Sequence, residues 1–129
     1  MDIKLKILFA DDNQTIRNLT SHVLEQRGHT VQTVTDGDEV IKWLNELPSP
    51  DLLITDQNME RMNGLEVLGR LRDDDRFRTL PVIIYTTNDY AEFKFAVKAL
   101  GGILVNPKTA YNLLAVVDAI AVTIAKERG

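Results

Sequence analysis

The sequence predicts an α/β domain: five parallel strands alternating with five helices, a (βα)5 sandwich of three layers. Three observations carry this. Five short runs, apolar or β-branched, recur along the 129 residues, and such runs suit strands covered on both faces. Between them lie segments whose apolar residues repeat at helical spacing. Strand–helix–strand alternation is closed by right-handed crossovers, which place helices on both faces of a single sheet.

The elements follow in order. Ile3, Leu5, Ile7, Leu8 and Phe9 mark the first strand. Ile16, Leu19, Val23 and Leu24 form the inward stripe of the first helix, with Gly28 as its stop. Residues 29–34 (HTVQTV) read as the second strand. Asp36 with Glu39 three residues on is a capping box that opens the second helix through Val40, Trp43, Leu44 and Leu47, and Pro48 and Pro50 end it. Asp51 to Thr55 is the third strand, Leu65, Leu68 and Leu71 mark the third helix, and a charged loop follows at 73–76. Leu80 to Thr86 is the fourth strand. Asn88 is placed to cap the fourth helix, with Phe93, Ala96, Val97 and Leu100 on one stripe. Ile103 to Val105 is the fifth strand, and Thr109 opens the fifth helix with Leu113, Val116, Val117, Ile120 and Ile124 inward.

Composition narrows the function. This length suits one domain, expected over residues 1–129. Apolar residues at 44% and charged residues at 26% describe a globular chain. The absence of cysteine excludes disulfides, thiolate metal sites and cysteine nucleophiles. A net charge of -4 argues against nucleic acid as a partner. No apolar run reaches the roughly 18 residues of a membrane span, and the N-terminal apolar stretch is too short for a signal peptide. A cytoplasmic protein with no membrane partner is expected.

The alternation is compatible with the flavodoxin-like strand order 2-1-3-4-5 and with a Rossmann-like order of fewer strands. In an open parallel sheet, ligands bind beyond the carboxyl ends of the strands where the order reverses. In order 2-1-3-4-5 that point lies between strands 1 and 3, which end in Asp11-Asp12 and in Asp56. Crowded like charges raise one another's pKa and cost stability unless compensated. Mg2+ compensates them well through oxygen ligands, and a carboxylate can then act as a nucleophile towards phosphorus. Singly, each acid has an ordinary structural reading as a loop start or helix cap; their combination at two neighbouring strand ends favours a site. Strand 4 ends in Thr86-Thr87-Asn88, whose hydroxyl would face the same pocket unless these residues only cap the next helix. Asn106-Pro107 ends strand 5 and is open to either peptide isomer. His22 reads as surface and His29 as a turn residue.

With these positions in place, the chain resembles the receiver domain of a two-component response regulator over essentially its whole length. The resemblance rests on FADDN at the end of strand 1, LLITDQNMERMNG around Asp56 with Met59 three and Gly64 eight residues later, and LPVIIYT leading into Thr86. It implies strand order 2-1-3-4-5. It implies that Asp56 is the phosphoacceptor. Mg2+ would be held by Asp12, by Asp11 mainly through water, by Asp56 and by the backbone carbonyl of Asn58. Thr86 would contact the phosphoryl group and couple it to the loop before helix 4. The phosphodonor would be a histidine kinase or phosphotransfer protein. Output would pass to a downstream protein by contact, with no enzyme activity beyond the domain's own Mg-dependent phosphorylation and dephosphorylation.

The chain departs from the family pattern at four positions. Asn106 stands where a lysine normally supplies a positive charge; Lys108, two residues on, could reach back to the site but is expected to be solvated. Ile103 replaces a switchable aromatic, Glu60 a proline, and Thr87 a smaller residue that would leave Asp56 more open. These departures favour an atypical receiver that binds Mg2+ but accepts phosphate poorly or couples it weakly. Phe95, Tyr90 and Leu114 are expected on an exposed partner face of helix 4, strand 5 and helix 5, a face that such domains use for homodimers or targets. The alternatives are a receiver-like scaffold whose output ignores phosphate and a phosphatase with an aspartate nucleophile. Against the phosphatase stands the direct adjacency of Asp11 and Asp12, where that group has Asp-x-Asp. A flavin carrier is opposed by acids where a flavin phosphate would sit.

Overall fold

The computed structural model describes residues 3–46 and 48–129. The five runs form strands β1 (Lys6–Ala10), β2 (Thr30–Val34), β3 (Leu52–Thr55), β4 (Val82–Tyr85) and β5 (Ile103–Val105), all parallel, in the order β2-β1-β3-β4-β5. Every residue of β3 and β4 is buried, whereas the edge strand β2 is largely open to solvent. Five helices connect them: α1 (Gln14–Gln26), α2 (Gly37–Glu46), α3 (Gly64–Arg72), α4 (Ala91–Ala99) and α5 (Ala110–Arg128). Among the described residues, no helix is long and apolar enough to cross a membrane.

Because successive strand side chains point to opposite faces, the sheet divides the interior in two. Leu8, Ala10, Leu53 and Ile84 meet Val40 and Leu44 of α2, Val67 and Leu68 of α3, and Phe93 and Val97 of α4. On the other face, Ile7, Phe9, Ile54, Ile83 and Tyr85 meet Leu24 of α1 and Leu113, Val117 and Ile124 of α5. The three layers expected from the sequence are therefore present.

Helix ends and phases refine the expectations. Helix α1 stops in a Schellman motif: the Gly28 N–H donates to the Glu25 carbonyl, the His29 N–H to the Leu24 carbonyl, and Gly28 has φ +93°. The buried line of α1 runs through Thr20 and Leu24 at four-residue spacing, so Leu19 is 60% exposed rather than inward. At α2 only half the capping box forms. Asp36 accepts the Glu39 N–H at 2.9 Å, but the Glu39 carboxylate turns to the Thr35 N–H and hydroxyl. Leu47 lies outside the described residues. Asn88 does not cap α4; the cap position is Tyr90, whose N–H is taken by the Asn88 side chain at 3.1 Å. Thr109 caps α5 as expected, accepting the Asn112 N–H.

Two features of this frame position the site. The register sets Ala10 opposite Thr55, and the Asp56 N–H donates to the Ala10 carbonyl at 2.9 Å. β1 and β3 therefore end level, and their next residues emerge side by side. Gly64 opens α3 against this edge: a Cβ there would lie 2.5 Å from the Asp56 carbonyl oxygen. Gly64→Ala is accordingly expected to destabilise the fold by about 1–3 kcal/mol through overpacking, read as a lower urea midpoint.

His29 closes the opposite end of the sheet. It is buried, and its Nδ1 accepts the Leu5 N–H at 3.1 Å, which requires an unprotonated Nδ1. Burial lowers its pKa, Asp118 opposes the shift and Arg27 adds to it. The unfolded chain therefore binds this proton more readily than the fold does. The stability contributed by neutral His29 is complete above the ordinary histidine pKa of about 6.5 and is lost as pH falls through the lowered folded value. The stability difference between wild type and His29→Asn should shrink from pH 7.5 to pH 5 in urea titrations. A difference independent of pH would refute this.

Candidate functional site

Asp11 and Asp56 follow directly from β1 and β3, and both are buried; Asp12 is exposed beside them. One carboxylate oxygen from each of the three lies within 4.8 Å of the others. Local bonds hold the two buried acids. Asp11 Oδ1 accepts the Asn13 N–H at 2.9 Å, and the Asp11 carbonyl accepts from Arg17 Nη1 at 2.7 Å. Asp56 Oδ1 accepts the Gln57 N–H at 2.8 Å. Asp56 Oδ2 accepts no hydrogen bond among the described residues.

The cation at this site is Lys108. Its Nζ lies 2.7 Å from Asp11 Oδ2 and 3.5 Å from Asp56 Oδ1, over the Tyr85 ring at 5.3 Å. Its side chain is only 13% exposed. The sequence expectation of a solvated Lys108 is thus overturned: two buried carboxylates draw the ammonium in, and the aromatic face adds a cation–π contact. No other lysine or arginine among the described residues pairs with either carboxylate. The signal was present in the sequence as three acids converging with no cation at any strand end.

Electrostatics follow from this crowding. Burial pushes the Asp56 carboxyl above its usual range; Lys108 pulls it down, Asp11 pushes it up, and the Gln57 N–H and the Lys108 hydrogen bond pull it down. Burial and the Asp11 charge raise Tyr85. A further cation would favour ionised Asp56.

The remaining expected site residues divide. Thr86 is fully buried, and its hydroxyl accepts the Asn88 N–H at 3.1 Å. Asn106 makes no hydrogen bond to the acids among the described residues; its Nδ2 donates to the Asn88 carbonyl at 3.2 Å. The Asn106-Pro107 bond is cis. Asn58 and Thr87 are exposed. Glu60 shares a pocket with Asp12, Thr35 and Asp36, so it does extend the acidic surface. Ile103 pairs with Ile83 and packs against the α1/α5 core. On the expected partner face, Tyr90 and Phe95 are 71% and 76% exposed. Leu114 is only half-exposed because it packs on the α5 core, and Tyr111 of α5 is the exposed ring that sequence reasoning missed.

Gln57 was also unforeseen. It is buried, its Oε1 accepts the Leu65 N–H at 2.8 Å, and its carbonyl accepts the Gly64 N–H at 3.1 Å. It thereby satisfies free donors at the start of α3 and ties that helix to the residue after Asp56. A larger cavity, about 690 Å3, lies away from the acids between residues 49–51, Pro81 and the second half of α5. Among the described residues, that cavity gathers no comparable cluster of buried charged groups.

An Mg2+ ion fits this donor set. One oxygen from each carboxylate lies within 4.8 Å of the others, close enough for the three to share one ion, and Mg2+ takes one or two carboxylates directly while keeping several waters.

Comparison with known proteins agrees with this geometry. CheY1 of Helicobacter pylori, a chemotaxis protein, is 35% identical over 108 residues, covering 81% of this chain and 87% of its own length. The CAI-1 autoinducer sensor kinase/phosphatase CqsS of Vibrio cholerae is 39% identical over 82 residues, 63% of this chain but only 12% of that protein. Among solved structures, the chemotaxis response regulator CheY4 of Vibrio cholerae superposes with a TM-score of 0.79 at 32% identity, covering 89% of this chain and 97% of its own. The receiver domain of a histidine kinase from Syntrophus aciditrophicus superposes at 0.81 with 27% identity, covering 93% and 92%. Residues 7–117 match the response regulator receiver domain model, and the chain belongs to that family, the receiver domains of two-component signalling.

Proposed function

We propose that Asp56 is the phosphoacceptor of this receiver domain, taking its phosphoryl group from the phosphohistidine of a histidine kinase or phosphotransfer protein, and that the domain then signals by protein–protein contact. The observation that supports this is the meeting of Asp11, Asp12 and Asp56 with one ammonium at the crevice where the strand order reverses. Receiver domains are in general signalling modules rather than enzymes, and this one would catalyse at most its own phosphorylation and dephosphorylation.

Asp12 and Asp56 would hold Mg2+, with Asp11 acting mainly through water and the Asn58 carbonyl as a further ligand. When bound, the ion screens the charge between the carboxylate and the incoming phosphoryl group. The Gln57 N–H and Lys108 fix Asp56 Oδ1, which leaves Oδ2 as the attacking oxygen. Its lone pair forms a P–O bond as the P–N bond to the donor histidine breaks; that pair leaves with the imidazole, which takes a proton from solvent. The product is an acyl phosphate. Thr86 accepts from Asn88 but keeps its own hydrogen. It would donate that hydrogen to a phosphoryl oxygen while still holding the β4–α4 loop, so that any movement towards phosphate is felt at Asn88. Tyr90 and Phe95, at the start and on the open side of α4, would form the face met by a downstream target or a second copy, with Leu114 at its border.

Acetyl phosphate with Mg2+ is expected to add one phosphoryl group to the wild type, and none to Asp56→Asn, by intact mass. An unmodified wild type, even with a phosphorylated kinase as donor, would end the phosphoacceptor reading. The exposed Asp12 gives a separate test of the metal. Asp12→Asn should change stability by no more than about 0.5 kcal/mol while weakening Mg2+ binding about tenfold in calorimetry.

A further inference from the structure

The acids of the site are matched by a lysine in an unexpected place. Three carboxylates gather here, and one ammonium pairs with two of them. A divalent cation would bring that group to neutrality, and a phosphoryl dianion on Asp56 would tip it negative again. We propose that Lys108, reaching back from the turn before α5, is the residue that holds the phosphoryl group by charge, while Asn106 serves only to tether the β4–α4 loop. The proposal rests on Asp56 being the phosphoacceptor.

Three observations carry it. Lys108 Nζ already lies 3.5 Å from Asp56 Oδ1, so a group esterified to the neighbouring oxygen falls within its reach. The ammonium is largely shielded from water and paired with Asp11 at 2.7 Å, so its charge acts in a medium that screens it weakly. The Asn106 amide is committed to the Asn88 carbonyl and carries no charge. The two functions that one strand-end residue could combine are thus divided between two.

The same ammonium is the counter-ion of Asp11, at 2.7 Å. It therefore opposes Mg2+ and supports phosphate, and its removal moves the two ligands in opposite directions. Damage to the fold would weaken both. In Lys108→Gln, beryllofluoride at saturating Mg2+ should bind about tenfold or more weakly, whereas Mg2+ alone binds equally or more tightly by calorimetry. Moving the charge back, in Asn106→Lys/Lys108→Gln, should recover most of the beryllofluoride affinity. In the unaltered protein, the Lys108 ammonium resonance should sharpen and shift when Mg2+ and beryllofluoride are added, a readout that does not depend on any variant folding.

Unchanged beryllofluoride affinity in Lys108→Gln would overturn the proposal and leave the phosphoacceptor reading intact. Parallel loss of Mg2+ and beryllofluoride, or a Lys108 resonance indifferent to the mimic, would overturn it as well. A wild type that binds neither ligand would instead remove the phosphoacceptor reading, and this proposal with it.

Discussion

Asp11 and Asp56 are brought together by the sheet itself. Parallel pairing of β1 with β3 ends both strands at one level, and the ladder hydrogen bond from the Asp56 N–H to the Ala10 carbonyl extends that register to the acids. Two buried carboxylates side by side repel, and each also loses hydration. Lys108 shares its ammonium between them and so offsets both costs. Burial together with the Asp11 charge outweighs the pull of Lys108 and of the Gln57 N–H, so the Asp56 carboxyl stays above its usual range. A further cation there would lower the repulsion between the two carboxylates.

Around this pair the surroundings are of two kinds. On the α3 side everything is fixed by close approach: Gly64 lies against the Asp56 carbonyl, and Gln57 fills the donors of the helix start through both its side chain and its carbonyl. On the α4 side the contacts pass through one residue, Asn88. Its N–H goes to Thr86, its carbonyl receives Asn106, and its side chain takes the Tyr90 N–H. Three hydrogen bonds, each worth about 1 kcal/mol net, converge on Asn88 in that loop, and beyond it Phe93 and Val97 of α4 pack into the core.

Most of the frame was legible in the sequence because burial on both faces leaves an unmistakable pattern: β3 and β4 are apolar runs, and all their residues are buried. The acids were legible because strand ends are determined by where those runs stop. Phase and reach were less legible. Leu19 is apolar yet exposed, because the line through Thr20 and Leu24 sets the face of α1. Leu114 sits on a helix with apolar residues on most sides, where spacing alone cannot assign the boundary of the buried face. His29 gave no sign of its backbone partner, since the Leu5 N–H it accepts lies 24 residues away. Lys108 was misjudged because a long side chain is placed by charge rather than by local spacing, and its partner Asp11 lies 97 residues earlier.

The departures from the family pattern become consistent when taken together. With Asn106 engaged by the β4–α4 loop, charge must come from elsewhere, and only Lys108 pairs with the buried carboxylates among the described residues. With Ile103 packed into the core opposite Ile83, no aromatic side chain at that position can turn between β5 and α4. The hydrogen-bonded route from the site towards α4 therefore runs along the loop, from Thr86 through Asn88 to Tyr90. Tyr90 is also the cap residue of α4; it makes no side-chain cap bond, and it is largely exposed. Two successive hydrogen bonds through Asn88 thus join the buried threonine to the first residue of the open face of α4.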